Sequence, residues 1–158
     1  MKVNLIDSVI QSLFEGCNSV TKAVSSTEFE LGEICFSKNH SCLTGMAIII
    51  GIYGDFRGHV CFTLKSTLAK KLASSIMGED EIPDEYLNGA FAELCNMIMG
   101  SGMGLLAEKG INVDITPPAI ITGQDIGLSV EKLQMVRLPL TINGINEMNM
   151  CIAISINE

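Results

Sequence analysis

The sequence predicts an α/β protein of the α+β type, a largely antiparallel sheet covered by long helices and built from a helix-plus-three-strands unit that occurs twice. Three observations predict it. Apolar residues recur at helical spacing ahead of a series of strand-like runs in each half of the chain. The tight-turn dipeptides Gly54-Asp55 and Asn143-Gly144 join pairs of those runs as antiparallel hairpins. The 158 residues, 47% hydrophobic and 18% charged, suffice for one packed core and are too few for two ordinary ones. The chain therefore reads as a single domain, 1–158, with pseudo-repeat halves at about 1–78 and 79–158.

In the first half, Val3, Ile6, Val9, Ile10, Leu13 and Phe14 predict a helix that Gly16 is expected to end. Three strands are expected next, from Glu28 to Phe36, Leu43 to Tyr53 and Phe56 to Leu64. Ser66 reads as the N-cap of a helix through Leu68, Ala69, Leu72, Ala73 and Ile76, stopped by Gly78.

Pro83 and Asp84 open the second half with a start signal for a long helix running to about Lys109 and capped by Gly110. Gly100, Gly102 and Gly104 weaken its C-terminal part, which predicts a kink or close packing there. Three strands follow, Ile111 to Ile115, Leu133 to Ile142 and Met148 to Ile156. Pro117-Pro118 separates the first of them from a short apolar run, Ala119 to Thr122. The apolar last strand would be a hazardous exposed edge unless it pairs with another chain or is buried centrally.

Composition excludes several functions. At a net charge of −8, with no basic cluster beyond Lys70-Lys71, the chain cannot neutralise a run of phosphates, so nucleic acid is no partner. The six cysteines (Cys17, Cys35, Cys42, Cys61, Cys95, Cys151) sit in or beside apolar runs without a C-x-x-C, and no apolar leader follows Lys2. They read as reduced, buried small hydrophobes of a cytoplasmic protein. His40 and His59 are the only histidines and show no metal-ligand spacing. The apolar stretch Met46 to Ile50, with Ile52 and Tyr53, is too short to cross a membrane.

The long helix carries the candidate chemistry. At about 100° per residue, Glu93 and Asn96 fall in one sector with Gly89 and Gly100, while Leu87, Phe91, Leu94 and Ile98 fall nearly opposite. Burying the apolar stripe turns a carboxylate and a carboxamide outward, beside positions small enough for another molecule to come close. Alone, this spacing is that of any solvated helix face. The Glu-x-Cys-Asn of Glu93 to Asn96 is echoed by Glu15-Gly16-Cys17-Asn18, where Gly16 falls inside the pattern and marks a chance or degenerate copy.

The segments Gly58 to Leu64, Ala92 to Gly100 and Gly110 to Pro118, the last leading to Thr122-Gly123, are similar in order and spacing to the CheC/CheX-type chemotaxis phosphatases. With one good motif copy, the chain resembles CheX more closely than CheC. The family pattern is Asp or Ser, three residues, Glu, two residues, Asn, and a Pro some twenty residues on. Glu93, Asn96 and Pro117-Pro118 match, and Gly89 departs at the Asp/Ser position. The resemblance implies a phosphatase that speeds hydrolysis of the aspartyl phosphate on a CheY-like response regulator. Glu93 would pair with the regulator's lysine and Asn96 would hold the attacking water, with Gly89 and Gly100 facing the partner. The regulator would bring the Mg²⁺, so the chain needs no cofactor of its own, and the family implies a homodimer. The alternative is a non-catalytic module of the same fold that docks on a receiver domain or a flagellar switch component, which the Gly89 departure favours. A self-contained enzyme finds no support, since no nucleophile–base pair, phosphate loop or metal cluster is present.

Overall fold

Two hairpins meet in the middle of one sheet. The computed structural model describes residues 2–36 and 39–155; within these the side chains of residues 2–4, 39–45, 124–126 and 128, among them Val3, His40, Cys42 and Leu43, lie outside the described part, as does the whole of Ile156. In chain order the elements are α1 (Lys2–Ser25), β1 (Glu30–Leu31), β2 (Cys35–Phe36), β3 (Asn39–Gly54), β4 (Arg57–Leu64), α2 (Ser66–Met77), α3 (Asp84–Glu108), β5 (Val113–Ile115), β6 (Ala119–Ser129), β7 (Gln134–Ile142) and β8 (Ile145–Ser155). The strand order is β1-β7-β8-β4-β3-β5, with β2 also on β7 and β6 also on β3. Every described pairing is antiparallel. The hairpins β3–β4 and β7–β8 join through β4 and β8, where Cys61 stands opposite Cys151.

The local chemistry of the turns is visible. Asn143 and Gly144 have φ of 53° and 79°, the double positive φ that a type I′ hairpin turn requires. Gly54 (φ 130°) opens the other turn, and Asp55 ties it to β5 by accepting the Asn112 N–H at 2.7 Å.

One face of the sheet and three helices make the main core. Alternate strand residues, among them Ile48, Ile50, Val60, Phe62, Leu138, Leu140, Met150 and Ile152, pack with Val9 and Leu13 of α1, Leu68 and Leu72 of α2, and Phe91, Leu94 and Ile98 of α3. The expected architecture, mixed helix and antiparallel sheet, is the one found.

Among the described residues no helix packs on the other face, yet Ala47, Cys61 and Cys151 are each only 1% exposed there. Ile49 packs against them. Phe36 pairs with Val136 of β7, and Asn39, three residues later, already pairs with Ser129 of β6. Three residues reach at most about 11 Å, whereas β2 and the body of β3 are four strand spacings apart, about 19 Å. The first part of β3, with β6, must therefore curl over the back of the sheet toward β7. Register shifts between His40 and Leu43, and between Leu43 and Gly45, bend it. Val130 and Leu133, next along the chain, pack on Met135 and Ala153 of that same face.

Several expectations are corrected. α1 does not end at Gly16 but runs on to Ser25. The glycine is there for packing: a Cβ on it would lie 2.6 Å from the Gly102 amide nitrogen of α3. α3 runs unbroken through Gly100, Gly102 and Gly104, so close packing at Gly102, and not a kink, is the outcome. The N-cap of α2 is Lys65, one residue before Ser66, and it makes no side-chain cap bond. The run Glu28 to Phe36 yields two two-residue strands on β7, and the short run at Ala119 is the start of an eleven-residue strand. β8 starts at Ile145 and lies inside the sheet, between β7 and β4, so it is not an edge. By length and hydropathy alone (1.3 over 18 residues) α3 could cross a membrane, a possibility the search for apolar runs missed; here it packs on α1 and α2.

Candidate functional site

α3 is fixed at both ends. Pro83, at φ −57° and ψ 141°, holds its N-cap and the acidic Asp84 and Glu85 fill the first turn, where the helix dipole favours negative charge. At the far end Gly110 takes φ 81°, and Lys109 Nζ donates to Ser12 Oγ of α1 at 3.1 Å. Between these ends Ala90, Phe91, Leu94, Cys95, Ile98, Met99, Gly102 and Leu106 are buried.

Burying that stripe leaves Glu93 exposed and Asn96 half-buried on the outward side. Gly89 and Gly100 share that side and are exposed, as are Gly104, Tyr86 (54%) and Met97 (38%). All four residues singled out from the sequence thus stand on one face of one helix. Among the described residues neither Glu93 nor Asn96 makes a side-chain hydrogen bond or ion pair, so nothing within the fold holds them.

The glycines of this helix are of two kinds. Gly102 is demanded by the fold, since a Cβ there would lie 2.6 Å from Leu13 Cδ2. Gly89, Gly100 and Gly104 have nothing within 4 Å of such a Cβ and no positive φ. Each costs helix stability relative to alanine, about 1 kcal/mol, and the fold gains nothing in return.

The echo of the motif in α1 has a different role. Asn18 Nδ2 donates to the Phe29 carbonyl at 2.9 Å, and the Phe29 N–H donates to Asn18 Oδ1 at 2.8 Å. That two-point clamp fastens the chain leading into β1. Sequence reasoning missed it because the partner is backbone, eleven residues on. The Pro117-Pro118 segment is also anchored: Thr116 Oγ1 accepts the Gly51 N–H at 2.8 Å, and the Thr116 N–H donates to the Gly51 carbonyl at 3.0 Å.

Among the described residues, the buried thiols and the absence of a metal cluster leave the chemistry to other groups. Cys95, between Glu93 and Asn96 in sequence, is fully buried, and burial pushes its pKa well above the usual thiol value, with Cys17 and Cys61 adding to the shift. Burial likewise raises Cys17 and Cys61 to about 12. Thiols of this kind are inert. Among the described residues no group of three His, Cys, Asp or Glu could hold a metal ion.

The chain is similar to known proteins. Residues 46–141 match the family model described as chemotaxis phosphatase CheX. The chain is 28% identical over 144 residues, 90% of each chain, to the CheY-P phosphatase CheX of Thermotoga maritima. A chemotaxis protein CheX from Desulfovibrio desulfuricans has a similar structure, with a TM-score of 0.81, 21% identity and coverage of 93% of this chain and 99% of that one. The CheX-CheY-BeF3-Mg²⁺ complex from Borrelia burgdorferi matches with a TM-score of 0.74 and 25% identity, over 93% of this chain and 97% of that one. With most of its central sheet and the whole of α3 inside the matched segment, the chain belongs to the CheX family of chemotaxis phosphatases.

Proposed function

We propose that this chain hydrolyses the aspartyl phosphate of a CheY-like response regulator. The observation that carries the reading is the outward placement of Glu93 and Asn96 on a rigid helix, uncommitted to any bond within the described chain. The Thermotoga relative bears the name of this activity, and the Borrelia relative was crystallised with CheY, BeF3 and Mg²⁺.

In this reading the regulator contributes its phosphoryl group, Mg²⁺ and lysine, and lacks a positioned water. Asn96 supplies that position. A carboxamide accepts one hydrogen bond and donates another without changing its own protonation, so it fixes a water in line with the phosphorus. Glu93 pairs with the regulator's lysine and sets the docking register. Gly89 and Gly100 let the partner's backbone approach the helix, and at Gly89 the auxiliary side chain of the family pattern is absent.

The chain works as a single domain of two pseudo-repeat halves and as a homodimer. The symmetric order β7-β8-β4-β3 supports the first part. The exposed Ile120 (43%) and Ile121 (37%) on the edge strand β6 support the second.

Phosphate release from a phosphorylated CheY-like receiver tests the reading, with parent and Asn96→Ala proteins compared at equal concentration. The parent should accelerate release and the variant should not. Acceleration by neither, or equally by both, overturns it.

A further inference from the structure

Helix α3 is more apolar than its packing requires. An 18-residue stretch of it has a mean hydropathy of 1.3, yet only 39% of that stretch is buried in the fold. From Tyr86 to Gly104 its exposed residues are Tyr86, Gly89, Glu93, Met97, Gly100 and Gly104, and Glu93 is the one charge among them. A helix face left to water ordinarily carries charged and polar side chains. This face carries two large apolar groups and three glycines instead.

The two large groups flank the outward pair. At ~100° per residue, Tyr86 and Met97 lie about 20° and 40° to one side of Glu93, and Asn96 about 60° to the other. At ~1.5 Å per residue, Tyr86 stands about 10 Å before Glu93 and Met97 about 6 Å after it. The glycines keep the helix surface low, since a Cβ at any of the three would have nothing within 4 Å. Tyr86 and Met97 therefore project as knobs. Both residue types are enriched in the buried centres of interfaces: Tyr covers much area for few lost rotamers, and the Met thioether adapts to irregular surface.

Charge decides what covers the face. A second copy docked symmetrically on it would bring two Glu93 carboxylates together. A lipid surface would have to take up the Glu93 charge, and anionic headgroups repel a chain of net charge −8. A receiver whose lysine meets Glu93 covers the same stripe with the carboxylate paired. We propose that Tyr86 and Met97 are the anchors by which α3 holds and selects its phosphorylated receiver, an inference that rests on Glu93 and Asn96 acting on that receiver. Tyr86 is about 15 Å along the helix from Asn96, so it reads receiver surface beside the phosphoryl pocket. By excluding water on either side, the anchors also strengthen the pair that Glu93 makes.

Steady-state phosphate release by the full chain, across concentrations of a phosphorylated CheY-like receiver, tests this. Tyr86→Ala should raise KM roughly tenfold and Met97→Ala severalfold, with kcat within about twofold of the parent, because both residues act in docking. Tyr86→Phe should restore the parental KM. Tyr53→Ala removes a tyrosine of similar exposure (50%) from β3 and should change neither constant. Asn96→Ala, which lowers kcat, separates the two readings. If the parent accelerates release and Asn96→Ala does not, while Tyr86→Ala and Met97→Ala keep the parental KM, the anchors are overturned and the receiver reading stands. If the parent accelerates release from no receiver, both fall. The anchors are also overturned if Tyr86→Ala turns a dimer into a monomer in sedimentation, or if the parent binds phosphatidylcholine vesicles and Tyr86→Ala does not. The face would then belong to a second copy or to lipid.

Discussion

Gly16 of α1 and Gly102 of α3 meet backbone to backbone, so close that a Cβ on Gly16 would lie 2.6 Å from the Gly102 amide nitrogen. Two helices in such contact bury their peptide groups against each other and leave no slack. The same α3 presents Gly100 to open space.

Gly16→Ala and Gly100→Ala should therefore have opposite effects on stability. The first overpacks the α1–α3 crossing and should cost about 1–3 kcal/mol. The second relieves a helix interior of glycine and should add up to ~1 kcal/mol. If Gly100 faces the partner, its added methyl should also slow turnover of a phosphorylated receiver. Urea unfolding followed by circular dichroism reads the first pair of effects, and phosphate release reads the last.

Asn96→Ala and Asn18→Ala should separate chemistry from architecture. Asn96 is held by nothing in the described fold, so truncation should leave stability within about 0.5 kcal/mol. It should cut the stimulated rate on the order of a hundredfold. Asn18→Ala removes both bonds to Phe29 and should cost about 1–3 kcal/mol, with activity per folded molecule kept. Both variants need only unfolding curves and the release assay.

Glu93→Gln should act on docking. Losing one member of a charge pair with the partner's lysine should raise KM roughly tenfold and flatten its dependence on salt, with kcat much less affected. The KM-against-salt slope of the two proteins is the comparison to make. Equal slopes would remove Glu93 from the docking contact.

Alkaline pH should unfold the protein early. Burial raises Cys17 and Cys61 to about 12 and Cys151 to about 11, from 9.0. A raised pKa means that the folded state keeps protons the unfolded chain releases. The stability they contribute is whole below pH 9 and lost as pH climbs toward 11–12, at about 1.4 kcal/mol per unit for each thiol. Urea midpoints from pH 7 to 10.5 should be level and then fall steeply above 9. Reductant and chelator at neutral pH should leave Tm almost unchanged, as the four buried cysteines are free.

What the sequence revealed was mostly local. The 3.6-residue period fixed the buried stripe of α3, and with it the outward side bearing Glu93 and Asn96. Turn chemistry located both hairpins, because Asn143-Gly144 and Gly54 need backbone angles few other residues accept. What stayed hidden depends on distant partners. Gly16 looks like a helix stop until α3 lies across it. Asn18 looks like a relic until the Phe29 backbone comes round to it. The ladder formed by β3 and β6 has no sequence signature of its own, since it is the short links to β7 that force it over the back of the sheet.

The central pairing of β4 with β8 also governs how the molecule can assemble. As the chain is synthesised, β4 acquires β3 at once, but its other edge stays bare until residues 145–155 have been made. The sheet closes through contacts of long sequence separation, a topology that folds slowly. An unfinished chain meanwhile displays Val60 and Phe62 on a strand with an unpaired edge, the state most prone to aggregate. Deleting β8 would therefore not yield a smaller version of the domain, because it would split the sheet down its middle.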